Sequence, residues 1–319
     1  MSRKLPPRVY QKHGAFYFVT NPDRKWIRLG QTESEMYRAL AKLKSTDVHL
    51  GEMSEYFERY EKEIIPTKAP RTQTDNLAEI KNLRQAFGKM RPEHIKPKHI
   101  YAYMDARGAT AKTRANREKS LLSSVFSSLI RWGVVEDNPC KNVKNFQEKA
   151  RDRYVEDWEY EAVLSLASPV LAAAMEIAST TGMRQGDILN LRYADLTENG
   201  VPVTQNKTGK KQIFEWTPAL KAAIESAKHH PRHADSIIYI IANERGQQYT
   251  SEGFKCNWQR LMNKALETGA IKERFTFHDL RAKAGSDAEE NAQKLLGHAS
   301  ATTTRRVYER KPSKVKPIR

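Results

Sequence analysis

The chain has 319 residues, and its 55 Lys and Arg against 38 Asp and Glu give a formal net charge of +17 at pH 7. This length allows two or three domains with apolar cores, and the positive excess favours a polyanionic partner, most often nucleic acid, over a role in solubility alone. Two cysteines without zinc-ligand spacing, Cys140 and Cys256, argue against a zinc site or a disulfide framework. We expect no signal peptide, because the basic opening residues lack an apolar stretch, and the apolar runs are too short to span a membrane.

Residues 8–30 predict short β-strands. VYQKHGAFYFV carries aromatic and β-branched residues around a His-Gly turn, NPDRK at 21–25 marks a second turn, and WIRLG follows. ESEMYRALAKL at 33–43 has a helical pattern. Residues 1–46 hold ten Lys and Arg against three Asp and Glu, so we expect a small three-stranded sheet with one helix that binds DNA. The same aromatic residues would equally well form only the core of that sheet.

Residues 47–150 predict a helical domain. Candidate helices span 52–65, 72–88, 97–108 and 113–133, with KAPRTQT at 68–74 as a loop. The last helix carries an apolar stripe expected in the core, formed by Leu121, Leu122, Val125, Phe126, Leu129 and Ile130. Its start carries a basic cluster that is either solvated or faces phosphates, formed by Lys112, Arg114, Arg117 and Lys119. The charged stretch at 147–153 predicts a linker.

Residues 151–319 predict a third, mostly helical domain. Helical patterns cover 157–167, 169–182 and 217–230, with Thr217 as an N-cap and Pro218 at the first helical position. VPVTQNKTGKKQIFEW at 201–216 predicts a β-hairpin. IIYII at 237–241 fits a buried strand or a helix core, and the chain from Glu252 onward is mostly helical. The fold class expected is mainly α with small β elements.

Six polar residues of this domain form an ordered series. Individually each has an ordinary explanation, such as a surface arginine or a helix cap. They are Arg184 in TGMRQGDIL, Lys207 in QNKTGKK, His278 and Arg281 in FHDLR, His298 in LLGHAS, and Tyr308, ten residues after His298. A phenol hydroxyl, whose pKa is about 10, needs a cationic setting or a base to attack phosphorus. A planar guanidinium group binds phosphate in a bidentate way, with two parallel hydrogen bonds to its oxygens.

In the order and local spacing of these motifs, the chain resembles the tyrosine recombinases of the phage integrase type. The opening LPPRVYQKHGAFYF also resembles the arm-binding domain of lambda-type integrases, over a shorter stretch. The resemblance implies that Tyr308 is the nucleophile and that Arg184 and Arg281 hold the scissile phosphate. It makes Lys207 the general acid for the leaving oxygen, although Lys210 and Lys211 also lie near the turn. It makes His278 a general acid–base, while His298 binds the phosphate or positions the other groups.

Two positions depart from the family pattern. The family has Glu three residues after its first arginine, where this chain has Asp187, which we expect to support Arg184. The segment from Arg281 to His298 is only seventeen residues, so we expect one helix there to be shortened or rebuilt. Arg305 and Arg306 are expected to steer DNA rather than to catalyse. The alternative for Tyr308 is a core aromatic in a terminal helix.

The resemblance implies three domains: an arm-type DNA-binding domain at 1–46, a helical core-binding domain at 47–150 and a catalytic domain of the DNA breaking-rejoining type at 151–319. The expected partners are double-stranded DNA at attachment (core) and arm sites, further copies in a homotetramer, an excision factor and a host DNA-bending protein. No metal or organic cofactor and no membrane is expected, and the site of action would be DNA in a bacterial cytoplasm. Three alternatives are a chromosome-dimer resolving recombinase, a type IB topoisomerase and a DNA-binding regulator without catalysis.

Overall fold

The computed structural model describes residues 5–6, 8–19, 25–47, 51–149, 151–228 and 238–311. The chain divides into two compact units, Met1–Lys149 and Ala150–Arg319. The division falls inside the linker predicted at 147–153. Among the described residues, no helix is both long enough and apolar enough to cross a membrane.

The first unit begins with an antiparallel sheet in the order β1 (Val9–Lys12), β2 (Ala15–Val19) and β3 (Trp26–Gly30). The predicted His-Gly turn joins the first two strands, and both of its residues have positive φ. Helix α1 (Glu33–Asp47) packs on this sheet and closes a small core, which consists of Val9, Phe16, Leu29, Met36 and Leu40. The predicted sheet and helix are therefore confirmed, while most of the turn predicted at 21–25 lies outside the described residues.

The outer face of this sheet is aromatic. Tyr10 and Trp26 are each about half exposed, and their ring centroids are 5.6 Å apart. Tyr17 lies beside Trp26, and the Lys12 ammonium lies 6.0 Å from the Trp26 ring centroid. Phe16, by contrast, belongs to the core. Phe16 thus takes the core role, whereas Tyr10, Tyr17 and Trp26 lie on the outer face, and DNA binding by that face stays a prediction.

The rest of this unit is helical, with α2 (Met53–Glu63), α3 (Pro70–Phe87) and α4 (Pro97–Arg131). Single 3-10 turns lie at Ile65–Thr67 and Pro92–His94. The loop predicted at 68–74 is wrong from Pro70 onward, because proline fits the first turn of a helix, where amide hydrogens have no intrahelical acceptor. The break predicted after Gly108 lies at Ala111, where φ is −152° and ψ is 67°.

The apolar stripe of α4 enters the core of this helical part from Leu121 to Leu129. The prediction that Ile130 shares this core is wrong, since Ile130 is 37% exposed at the last turn of α4. In the basic cluster, Lys112, Arg114 and Arg117 are exposed to solvent. Arg107, one turn earlier, forms an ion pair of 3.0 Å with the buried Glu118.

The second unit starts with α5 (Asp157–Leu166), α6 (Pro169–Thr181) and the short α7 (Gln185–Leu189). The predicted hairpin is present as β4 (Val201–Thr204) and β5 (Lys211–Phe214), and α8 (Pro218–Lys228) follows. The Thr217 hydroxyl caps α8 by accepting from the Leu220 amide at 3.1 Å. The end predicted for this helix, at 229–230, lies outside the described residues.

The remaining helices are α9 (Ser251–Glu267), α10 (Phe277–Asp287), α11 (Ala292–Leu296) and α12 (Ala301–Tyr308). In the described part of IIYII, Tyr239 forms a single bridge to Arg192, and Ile240 and Ile241 are buried, so the segment is neither a regular strand nor a helix. Helix α6 is the most apolar element and packs against α8 and α10 in the core of this unit. The fold is mainly helical with two small sheets, as predicted.

Candidate active site

Helix α10 positions two of the six predicted residues. Its N-terminus is capped because the Asp279 carboxylate accepts hydrogen bonds from the Thr276 amide and hydroxyl, each at 2.7 Å. His278 and Arg281 are three residues apart and therefore lie on the same side of the helix. Because this helix is capped and buried, the backbone positions from which both side chains extend are fixed.

Arg281 is almost fully buried, with 2% of its surface exposed. Its guanidinium donates to the carbonyl oxygens of Gly182, which ends α6, and of Leu296, which ends α11; the second bond is 2.7 Å long. Its Nε has no hydrogen-bond acceptor among the described residues. The cation is thus held rigidly by two helix ends, and one of its donors stays available.

Arg184 supplies the second guanidinium group from the position just before α7. Its Nη1 donates to the Gln205 side-chain oxygen at 2.5 Å, which connects it to the β4–β5 hairpin. Burial and the charge of Arg184 lower the pKa of Arg281, whereas Tyr308 and Asp187 act in the opposite sense. Two cations that repel each other in this way form a site that favours an anion between them.

His298 accepts and donates in a defined orientation. Its Nε2 lies 3.1 Å from Arg281 Nη2, and its Nδ1 lies 2.9 Å from the Thr304 hydroxyl. Because arginine only donates, Nε2 must be the acceptor, and the proton of the neutral ring sits on Nδ1. Burial, together with the charges of Arg281, Arg184 and Lys210, lowers the pKa of His298 to about 4. The ring is therefore neutral at pH 7.

Tyr308 is the last residue of α12 and is only 8% exposed. Its hydroxyl lies 3.3 Å from His278 Nε2, and the guanidinium carbon of Arg281 lies 5.3 Å from its ring centroid. The ring centroid of His298 is 4.7 Å away. The alternative of a core aromatic explains the packing of the Tyr308 ring on Leu296, but it does not explain a hydroxyl directed at a histidine.

His278 is the partner of that hydroxyl. Desolvation by the surrounding protein lowers its pKa, and the charges of Arg281, Arg310 and Arg184 act in the same direction, while Asp279 opposes them. A histidine with a lowered pKa is unprotonated near pH 7. It can therefore accept the proton of the tyrosine hydroxyl.

The structure brings five of the six predicted residues into one connected cluster, and Lys207 stays outside its hydrogen bonds. Lys207 is exposed in the turn of the hairpin, two residues after Gln205. Lys210 is the hairpin lysine whose charge acts on His298. The choice among Lys207, Lys210 and Lys211 is therefore not made by the contacts in this structure.

Two glutamines that the sequence analysis missed attach the hairpin to the site. The Gln205 amide donates to Gln212 Oε1 at 2.5 Å and to the Leu296 carbonyl at 3.3 Å, and the Gln212 amide donates to the Lys294 carbonyl at 2.9 Å. Next to them Gly297 has a φ of +67°. A Cβ at Gly297 would collide with both glutamine side chains. Only the adjacency of Gln205 to the hairpin lysine could have drawn attention to it in the sequence.

The role expected for Asp187 needs correction. Its carboxylate accepts from the Asn206 backbone amide at 3.0 Å and therefore supports the hairpin. Among the described ion pairs none joins Asp187 to Arg184, because the Arg184 guanidinium is directed toward Gln205. The segment from Arg281 to His298 contains a 3-10 turn at Glu289–Asn291 followed by the five-residue α11, and its shortening relative to the family stays a prediction.

Comparison with known proteins identifies the family of the chain. The sequence profile of the phage integrase family matches residues 153–314, which is half of the chain. The chain belongs to the phage integrase family. It is a tyrosine-type site-specific recombinase.

Relatives of this family resemble the chain over nearly its whole length. The integrase of Enterobacteria phage 434 is 28% identical over 94% of this chain and 92% of its own length, and that of Escherichia phage HK022 is 25% identical over 93% and 91%. Among solved structures, a lambda integrase dimer bound to a COC′ core site superimposes with a TM-score of 0.71 at 23% identity, covering 99% of each chain. A lambda integrase tetramer bound to a Holliday junction gives a TM-score of 0.68 at 24% identity, over 94% of this chain and 98% of that one.

No group of three or more His, Cys, Asp or Glu side chains within the described ranges is arranged to hold a metal ion. The charged groups that the cluster does provide are cations. The cluster is therefore suited to an anionic substrate, whose negative charge the guanidinium groups would stabilise.

Proposed function

We propose that this recombinase cuts and rejoins DNA with Tyr308 as the nucleophile. The observation that carries the proposal is the Tyr308 hydroxyl, 3.3 Å from His278 Nε2 and beside the buried guanidinium of Arg281. Nucleophile, base and cation thus meet within one unit of the chain. The proposal accounts for the buried cation, which a DNA-binding regulator without catalysis would not require.

The reaction is a transesterification. The Tyr308 oxygen forms a bond to the phosphorus of a DNA phosphodiester and gives its proton to His278. The bond from phosphorus to the 5′-oxygen breaks, and that oxygen takes up a proton. The product is a 3′-phosphotyrosine link and a free 5′-hydroxyl. Because one ester replaces another, rejoining needs no nucleotide energy source.

The other residues of the site also have a place in this reaction. Arg281 and Arg184 bind the nonbridging phosphate oxygens, whose negative charge grows in the transition state. The neutral His298 donates from Nδ1 to Thr304 and orients Arg281 through Nε2. Lys207 protonates the leaving oxygen from the hairpin turn, and Lys210 and Lys211 are the alternatives to be tested beside it.

The partner of this site is double-stranded DNA. The related lambda integrase has been solved on a core site and as a tetramer on a Holliday junction. By that likeness we propose that four copies of this chain act on two DNA sites and exchange strands through a Holliday junction. The result would be integration and excision of a phage or other mobile element, on DNA in the cytoplasm of a bacterial host. Residues 1–46 would bind arm sites, with 47–150 and 151–319 on the core site, and an excision factor and a DNA-bending protein would assist.

Tyr308→Phe removes one hydroxyl and keeps the cationic site, so covalent attachment to DNA should be lost and DNA binding retained. The probe is a nicked duplex that carries the crossover sequence found at the junctions of the integrated element. The measurement is the protein–DNA adduct on a denaturing gel.

Tyr154→Phe is the matched control, because the Tyr154 hydroxyl donates a hydrogen bond to Asp287 and accepts one from Lys283, away from the nucleophile. It should form the adduct as the wild type does. An adduct that persists in Tyr308→Phe would place the nucleophile on another residue and would refute the proposal.

A further inference from the structure

The segment that follows Tyr308 is attached to the same helix that carries His278 and Arg281. The Ser286 hydroxyl of α10 donates to the Tyr308 carbonyl at 2.7 Å and accepts from the Arg310 amide at 2.8 Å. One side chain of α10 therefore holds the backbone on both sides of Glu309. The end of α12 is fixed at this point, where its own helical hydrogen bonds stop.

The Arg310 side chain makes a second attachment at the other end of α10. Its Nη1 donates to Asp279 at 2.7 Å and to the Arg153 carbonyl at 3.2 Å, and its Nε donates to the Val307 carbonyl at 3.0 Å. The Arg310 and Asp279 side chains are only 5% and 1% exposed. The Nη1 and Nε donors of Arg310 are therefore used by protein acceptors, which assigns this side chain to holding the protein rather than to contacting DNA.

The Asp279 carboxylate has donors on both oxygens. Thr276 occupies one oxygen and Arg310 the other, and Arg151 lies 3.5 Å away. Burial opposes ionisation of this carboxyl, but the hydrogen bonds from Thr276 and Arg310 outweigh it and hold the pKa of Asp279 below its ordinary value. Breaking a buried ion pair by removing one partner is strongly destabilising, because the other charge is left uncompensated.

We propose that Arg310 is a positioning residue, which holds the Tyr308 hydroxyl at His278 and Arg281 through its buried ion pair with Asp279. This inference rests on the proposed role of Tyr308 as nucleophile. Arg310 does not touch the scissile phosphate. It limits the positions that the nucleophile can adopt before DNA is cut.

This role has a kinetic consequence. Before cleavage the tyrosine is held only by noncovalent contacts, so loss of Arg310 lets it leave the attacking position. After cleavage the phosphotyrosine bond itself holds the tyrosine at the phosphate. Loss of Arg310 should therefore slow cleavage much more than ligation, whereas damage to the phosphate-binding site should slow both.

The experiment uses the full chain and the nicked crossover duplex. In Arg310→Met, cleavage at saturating DNA should fall about ten- to hundredfold, as expected for a nucleophile displaced by about an ångström. Ligation of a 5′-hydroxyl strand to adduct formed beforehand should stay within about threefold of the wild-type rate. The affinity for an unnicked duplex should not change.

Three further variants separate positioning from folding. Arg310→Lys keeps the charge and should recover much of the cleavage rate. Asp279→Asn keeps an acceptor for the helix cap and removes the charge, so it should slow cleavage as Arg310→Met does, and the two changes should not be additive when combined. Arg260→Met removes an exposed arginine of α9 and should behave as the wild type.

Equal losses of cleavage and ligation, or no rescue by Arg310→Lys, would overturn the positioning role, as would wild-type cleavage by Arg310→Met. Weaker binding of the unnicked duplex would instead make Arg310 a DNA contact and would also overturn it. If Tyr308→Phe still forms the adduct, the proposed function fails first. The two ideas therefore fail in different experiments.

Discussion

At the scale of single residues, each of the six predicted positions lies in a short motif of the sequence. The atoms that hold these side chains in place could not be predicted, since they are distant along the chain. Arg281 donates to the carbonyl of Gly182, 99 residues earlier, and Gln205 donates to the carbonyl of Leu296, 91 residues later. The motif named Asp187 as the support of Arg184, whereas the fold gives that place to Gln205. Such pairs depend on how helices and hairpin pack, which local pattern does not specify.

The neutral state of His298 leads to a prediction of pH dependence. Its pKa falls from an ordinary 6.5 to about 4 in the folded chain. Between these two values the unfolded chain binds more protons, so the free energy of unfolding rises with pH. The contribution of His298 to the free energy of unfolding is therefore fully present above about pH 6.5 and is lost as the pH falls toward 4. Its upper limit is about 3 kcal/mol, and screening by water at this half-buried ring makes it smaller.

Calorimetry of wild type and His298→Gln at pH 7 and pH 5 measures this contribution. Gln has no titrating group, so its transition should shift less on acidification than that of the wild type. His94→Gln, at an exposed histidine of the first unit, should follow the wild type. Equal acid shifts in all three proteins would show that His298 is not held neutral by the fold.

At the scale of elements, helix boundaries followed the sequence where capping residues mark them. Thr217 caps α8 as predicted, and the break near Gly108 was found within three residues, at Ala111. The pattern at 68–74 predicts a loop, but Pro70 begins α3, because a proline opens a helix as readily as it ends one. IIYII gave no periodicity to separate strand from helix, and in the fold it makes one bridge only.

Gln205 attaches the β4–β5 hairpin to Arg184 and to the end of α11. Gln205→Ala removes the acceptor of Arg184 and the donor to Leu296 together. The hairpin should then lose its attachment to the end of α11. Adduct formation on the nicked crossover duplex should slow about tenfold or more, since Arg184 is no longer held in its orientation. Ile213→Ala, at an exposed position of β5, is the control and should react normally.

A combined variant checks the origin of that loss. Gln212→Ala removes the bond to the Lys294 carbonyl from the same hairpin. If both glutamines act by docking the hairpin, their effects on cleavage should be strongly non-additive. Fully additive effects would mean that Gln205 acts on Arg184 alone.

At the scale of the whole molecule, residues 1–46 are distinguished from the helices that follow by their positive charge and by a separate core. The net charge of +17 includes a large share from residues 1–46, whose sheet and helix have their own small core. Among the residues that the structure describes, the core of α2, α3 and α4 shares none with it. Composition was sufficient to predict this basic module, while its exposed aromatic face depends on strand register, which the turns alone did not fix.

Deletion of residues 1–46 tests whether this module is separable. The helical core and the second unit should still fold, so cleavage of the nicked crossover duplex should persist while integration is lost. The salt dependence of DNA binding should also become shallower, by about 0.9 in the log–log slope for each phosphate contact removed.

Lys12→Gln combined with Arg28→Gln is the milder companion, since it keeps the sheet and removes two exposed charges. It should weaken integration without affecting cleavage. Unchanged integration by the deletion variant would end the assignment of an arm-binding role.

The left-handed backbone at Gly297 sets a rule for how this site can vary in evolution. Any side chain there would occupy the space of Gln205 and Gln212, two residues that belong to a different element. A side chain at position 297 would therefore have to displace the amide ends of both glutamines or meet shorter residues in their place, and either change would remove hydrogen bonds that dock the hairpin. We expect the three positions to change together among descendants of this chain, so that a glycine in an α-helical motif and a pair of residues on a β-hairpin carry one shared constraint.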